Sequence, residues 1–412
     1  MADRRRGTRR RWTGPGPVVA LAMLLVSACA TPREPADVAA RDIQRTLDRR
    51  AAAVISRDEA AYLAPLDPAA TRLRAAEREE FRNLAQVPLR SWEYRLTGLD
   101  RTGTGRATAR VELRYRLAEY DEVPVKVAER LDLTRRDGRW YVAAERPPER
   151  GGARLWEQGE VTAVRGERSL VLGVGQDTEL LRSMARTADR AVPAAGRAWP
   201  GRWSRRLVVL VPASLDGMGA LLGAPAAGYR GIAAVTTGSA GGPGAASSAD
   251  RVIVNPEAYG LLGDFGRRIV LTHEATHVAT RAHTSAATPM WLSEGFADWA
   301  AYRGTGRTAG QAAPELQRSV RAADVPAALP ADKDFGFAGD AGALARAYEG
   351  GWLACELIAR EWGEERLTAF YRAVGGHGRR EGAVEKAMHE VLETTPEDFT
   401  VRWREYLRSR LA

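Results

Sequence analysis

The stretch Phe265-Gly266-Arg267-Arg268-Ile269-Val270-Leu271-Thr272-His273-Glu274-Ala275-Thr276-His277 decides how the second half of this chain is read. From Phe265 onward the pattern is almost wholly helical, and Phe265, Ile269, Val270 and Leu271 give the segment an apolar flank. His273 and His277 are four apart, so on a helix both imidazoles face the same side and reach one ion. Glu274 stands beside them, placed to take a proton from water held by that ion. A metal in this position lowers the pKa of its water from about 15.7 to about 7 and polarises a scissile carbonyl. Only five His occur in 412 residues, so the spacing is a strong signal.

A zinc site of this kind needs a third protein ligand and an open fourth position. Two candidates follow in the sequence. His283 lies six residues after His277, where the pattern HExxHxxGxxH places a third His. That pattern needs a helix-breaking Gly, and this chain has Thr280 there. A continuing helix would rotate His283 about 240° away from His277, so His283 is expected at or beyond the helix end. The second candidate is Glu294 in Trp291-Leu292-Ser293-Glu294-Gly295-Phe296-Ala297-Asp298-Trp299, a segment that Pro289 suits as a helix start. Glu294 and Asp298 are again four apart. One carboxylate can bind the ion while the next holds a ligand His through its free N–H and fixes its tautomer.

With sixteen residues between His277 and Glu294, HExxH followed by Trp-Leu-Ser-Glu-Gly-Phe-Ala resembles the gluzincin metallopeptidases, in particular their aminopeptidase N-like and peptidase MA-like domains. The resemblance implies zinc, one ion per chain, held by His273, His277 and Glu294. Glu274 is implied as general base and then acid, and Asp298 as the partner of His273. The segment Ala347-Tyr348-Glu349-Gly350-Gly351-Trp352-Leu353 resembles the family's Tyr-Glu-Lys-Gly stretch, which puts the hydrogen bond to the oxyanion on Tyr348; Gly350 stands where the family often has Lys. Aminopeptidases of this type read the substrate amino terminus with a Gly-Ala-Met-Glu-Asn segment upstream of HExxH. Here the region reads Gly231-Ile232-Ala233-Ala234-Val235-Thr236-Thr237-Gly238, without an acid, so the peptidase MA-like comparison is the closer one. The resemblance spans roughly residues 155–410, with its motifs in 265–302 and 345–363.

Upstream, the organisation is compositional. The first twelve residues carry six Arg against Asp3, a net +5, so of the formal +9 the remaining chain keeps +4. The basic character is thus a targeting feature and not a nucleic-acid footprint. An apolar run from Val18 to Ala28 follows, too short to span a bilayer core of roughly 30 Å. Ser27-Ala28-Cys29 resembles a bacterial lipobox, which makes residues 1–28 a lipoprotein signal peptide, Cys29 the lipidated first residue, and 29–36 a tether. The expected location is the outer face of the bacterial cell membrane, anchored through Cys29. The other thiol, Cys355, reads as a small core residue.

Residues 37–146 read as two helices (37–56 and 69–84) followed by a strand meander, ending in the turn Arg136-Asp137-Gly138-Arg139 before Trp140-Tyr141-Val142. This α+β unit resembles the cone-shaped nuclear-transport-factor-like domains, and no acid–base pair in it is marked by spacing. Pro147-Pro148-Glu149-Arg150-Gly151-Gly152 breaks the pattern. The catalytic unit is expected at 155–410, α+β with a small antiparallel or mixed sheet and a mainly helical carboxy-terminal half. Its strands are expected at Glu160–Leu172, Leu207–Val211, Gly231–Thr237 and Arg251–Asn255, the last two pairing as a hairpin whose edge holds an extended peptide. The Gly/Ala/Ser run at 238–249 is not a phosphate loop and reads as a loop over the cleft. The expected activity is hydrolysis of peptide bonds in peptide or protein substrates. The alternative is a non-catalytic cell-envelope binding or scaffold lipoprotein that holds zinc without turnover.

Overall fold

The computed structural model describes residues 36–103, 105–146, 152–237, 250–336 and 340–412. The amino-terminal basic and apolar runs, Cys29 and the segment 238–249 lie outside them. Among the described residues no helix is long and apolar enough to cross a membrane.

The first helix, α1 (Ala36–Ser56), buries Ala39, Ile43, Leu47, Ala51 and Val54, a stripe with helical spacing. Helix α2 (Thr71–Asn83) follows a short turn of helix capped by Asp58. Strands β1 (Leu89–Thr102), β2 (Arg106–Leu117), β3 (Val125–Arg136) and β4 (Arg139–Arg146) form an antiparallel meander in chain order. In β2 every second residue from Ala107 to Leu117 is buried, which fixes the register. Asp137 and Gly138 both have positive φ (49° and 78°), the backbone that a two-residue β-hairpin with right-handed twist requires.

The second sheet has the order β5-β6-β7-β9-β8. Its strands are β5 (Val161–Arg165), β6 (Ser169–Val174), β7 (Leu207–Val211), β8 (Ala234–Thr237) and β9 (Arg251–Val254). The pairs β6–β7 and β7–β9 are parallel, while β5 and β8 run antiparallel at the two margins. The stretch 160–172, read as one strand, is two. Gly166 donates to Ser169 O at 2.8 Å, and the Asp189 carboxylate accepts from Glu167 N and Arg168 N, closing a turn that apolar alternation does not mark. One face of this sheet packs on α3 (Thr178–Ala198) and α4 (Asp264–Thr280) through Val171, Val209, Val252 and Val254. The other face, with Leu170, Leu172 and Val208, shares a core with the meander. Covered on both faces, β6 is buried at all six positions.

The breaker cluster after β4 separates compositions, not cores. Just beyond it, Trp156 is buried against Trp92 and Tyr115 of the meander, and its indole N–H donates to Glu80 at 3.1 Å. Asp121, in the turn after β2, takes both guanidinium nitrogens of Arg251 in β9 at 2.8 and 2.7 Å, with both side chains buried. The carboxy-terminal half is helical: α5 (Met290–Tyr302), α6 (Ala341–Glu361), α7 (Glu364–Gly375) and α8 (Pro396–Leu411) enclose Trp199, Phe296, Phe370, Phe399 and Trp403. Cys355 is fully buried in this core.

The amino-terminal unit carries a feature that the spacing did not mark. Arg50, on the buried face of α1, donates to the Tyr62 phenol oxygen Oη at 2.9 Å, to Glu77 at 2.5 Å and to Glu145. Arg154 pairs with Glu80, Glu129 and Glu157, and these groups line a cavity of about 270 Å³ together with Glu77 and Glu145. Five carboxylates share two guanidiniums. Burial is the largest influence and pushes Glu77 up to about 8 and Glu80 and Glu129 up to about 7.

Candidate metal centre

Three helices converge on one point. Helix α4 supplies His273, Glu274 and His277, α5 supplies Glu294 and Asp298, and α6 supplies Tyr348. The approach of α5 to α6 depends on two glycines. A Cβ on Gly295 would lie 2.2 Å from Gly351 O, and one on Gly351 would lie 2.7 Å from Trp291 O. Helix backbones in direct contact bring Glu294 and Tyr348, on neighbouring turns, to the same side of the site. Gly350 is also buried, beneath Pro330 and Trp403, and Trp403 donates its indole N–H to Gly350 O at 3.3 Å. A lysine at this position would meet packed side chains.

The imidazole Nε2 atoms of His273 and His277 are 3.0 Å apart, and the Glu294 carboxylate Oε2 lies 3.2 and 3.3 Å from them. On the other side of the His273 ring, Nδ1 is 2.8 Å from Asp298 Oδ1. Asp298 accepts there, so neutral His273 carries its proton on Nδ1 and its lone pair on Nε2. Two ring nitrogens and a carboxylate oxygen converge on one point, with side chains only 11–16% exposed. Ligands about 2.0–2.1 Å from a tetrahedral ion lie roughly 3.3 Å from one another, and the observed triangle matches that spacing. His273, His277 and Glu294 are thus a group able to hold a metal ion.

The electrostatics follow from this crowding. Burial opposes ionisation of Glu294, but His277 and His273 hold its carboxyl well below the usual range. Burial would also lower the His273 imidazole, yet Asp298 and Glu294 outweigh it and raise it. The Tyr348 phenol is pushed far above its ordinary value by burial and by the facing carboxylates of Glu294, Asp298 and Glu274, so it remains a proton donor. Its ring lies 6.3 Å from His273 and packs edge-on against Phe335 at 5.2 Å.

His283 stands apart from this group. The chain leaves α4 in a 3-10 turn, Arg281–His283, without reversing, and the ring packs 5.4 Å from Trp199. Burial and the neighbouring Arg372 lower its pKa. Thr236 of β8, a residue with no motif to mark it, donates its hydroxyl to Glu274 Oε2 at 2.5 Å and also lies 3.3 Å from Glu274 O. Cys29 lies outside the described residues.

No family model matches the chain, and no curated protein matches it. Among solved structures, a SEC-C motif containing protein from Rhodopseudomonas palustris aligns at 19% identity, over 27% of this chain and 91% of that one, with a TM-score of 0.20. Native yeast LTA4 hydrolase aligns at 14% identity over 60% of this chain, with a TM-score of 0.36. The chain spans 39% of the length of that hydrolase. The site's chemistry stands on its own geometry.

Proposed function

We propose that this chain is a zinc-dependent peptidase, exported and lipid-anchored through Cys29 on the outer face of the bacterial cell membrane, acting on peptide or protein substrates. The observation that carries the reading is the acceptor triangle of His273 Nε2, His277 Nε2 and Glu294 Oε2, with Asp298 on the far nitrogen of His273 and Glu274 on the same helix. A zinc ion, when held there, polarises a scissile carbonyl and acidifies water. Asp298 fixes the His273 tautomer and so keeps Nε2 available as a ligand. Glu274 takes the proton of the attacking water and delivers it to the leaving nitrogen. The protonated Tyr348 phenol donates to the oxygen on which negative charge develops. Peptide substrate lies extended along the margin of the second sheet, where β8 runs beside α4.

The direct test is metal binding by residues 30–412. One zinc per chain is expected, with Glu294→Gln weakening it far more than His283→Ala. Equal loss in the two variants would overturn the ligand assignment. Chelator-sensitive cleavage of a mixed peptide library, including peptides with acetylated amino termini, is expected from the same preparation.

A further inference from the structure

The active-site carboxylate is not held by its own helix. In β8 the side chains alternate: Ala234 is buried in the core shared with Leu271 and Ala275 of α4, and Thr236, two residues on, points the same way. Thr237, on the opposite face, lines the cavity between the two sheets with Arg251 and Ile253. Thr236 thereby brings its hydroxyl to Glu274 Oε2 at 2.5 Å, within the range for a short O–H···O⁻ bond. A glutamate has three side-chain torsions, and a base must meet its proton within about 2.6–3.2 Å.

We infer that Thr236 is the positioning residue for Glu274: its hydroxyl ties one carboxylate oxygen to the marginal strand, so that the strand which holds the substrate also sets the base. This inference rests on the peptidase reading above. A threonine hydroxyl has one proton to donate, and given to Oε2 it restricts the Glu274 rotamer without charge of its own. The strand itself is anchored from behind. It pairs with β9 in the register Thr236↔Val252 and Thr237↔Arg251, and Arg251 is gripped by Asp121. Arg281, just past α4, is tied to the start of β9 through Asp250 at 3.1 Å. Base, strand and helix end thus form one closed frame.

The experiment compares the wild-type protein with Thr236→Val, Thr236→Ser and Glu274→Gln, using as a single substrate the best-cleaved peptide of a mixed library. Zinc content, thermal midpoint and crystal structures are measured in parallel. Thr236→Val should keep one zinc and the wild-type midpoint, lower kcat by roughly 10–100-fold, the worth of a hydrogen bond to a charged group, and leave KM within about twofold. Thr236→Ser should restore kcat to within about threefold, because it returns the hydroxyl. In the Thr236→Val crystal, Glu274 should occupy more than one rotamer. Unchanged kcat with a single wild-type rotamer would overturn the inference even where Glu274→Gln is inactive. A change confined to KM would overturn it in favour of a purely substrate-holding strand. Full activity in Glu274→Gln would instead sink the peptidase reading, and the inference with it.

Discussion

Among the described residues, two clusters of carboxylates are built on opposite principles. Around the amino-terminal unit and the segment just after it, Glu77, Glu80, Glu129, Glu145 and Glu157 surround Arg50 and Arg154, so the chain supplies the counter-ions itself. In the helical half His273, His277 and Glu294 bring two ring nitrogens and a carboxylate oxygen to one point, and no Arg or Lys among the described residues pairs with them. The groups that hold Glu294 ionised against its burial are these two imidazoles, and with it they form a group that could hold a metal ion. A cluster closed by its own guanidiniums is complete as folded. A cluster of ring nitrogens and a carboxylate without such a cation is one that could take up a metal ion. The pKa directions express the same contrast: burial dominates and raises Glu77, Glu80 and Glu129, whereas at Glu294 it is outweighed by the imidazoles, which lower the carboxyl.

The contrast can be broken by substitution. The largest effect is expected at Glu274. Glu274→Gln should keep the zinc, because Glu274 is not in the ligand triangle, and lose about 10²–10⁴-fold in kcat; peptide cleavage beside zinc analysis checks this. Next comes Arg50. Removing it strands Glu77 and Glu145 without their guanidinium, and Arg50→Ala should cost about 3–5 kcal/mol in denaturant unfolding. A similar loss in zinc affinity per folded protein would show that the two clusters are not independent. Asp298→Asn is expected to weaken zinc about 10–100-fold by releasing the His273 tautomer. His283→Ala, which removes a ring packed on Trp199, should leave zinc affinity unchanged, as competition with a chelator would show.

A further effect concerns pH. Glu77 has a folded-state value of about 8 against an ordinary 4.5, so the folded protein holds a proton that the unfolded chain releases. The stability from this group is fully present below about pH 4.5 and is lost as pH rises toward 8. Glu77→Gln should flatten that decline by at most about 1.4 kcal/mol per pH unit, the slope for one proton. A decline that is unchanged in Glu77→Gln would place the titrating group elsewhere in the cavity.

The sequence by itself determined the elements whose signal is local. HExxH and the Glu294/Asp298 pair are helical spacings, so each puts its side chains on one face whatever surrounds them. The alternation of β2, the Asp137-Gly138 turn and the Thr395 cap of α8, which accepts from Asp398 N, are decided within a few residues. Arg50 left a faint trace: it falls three residues after Leu47 and four before Val54, on the stripe that packs inward. What only the tertiary structure decided is each contact made across long stretches of chain. Thr236 meets Glu274 thirty-eight residues away, and Asp121 meets Arg251 across one hundred and thirty. Gly295 and Gly351 become informative only when two helices press together. A threonine, an aspartate or a glycine reads the same wherever it stands in a sequence, because its role comes from the partner that folding brings to it. Periodicity records which face a side chain takes on its own element, whereas the identity of that partner is set by how sheets and helices stack.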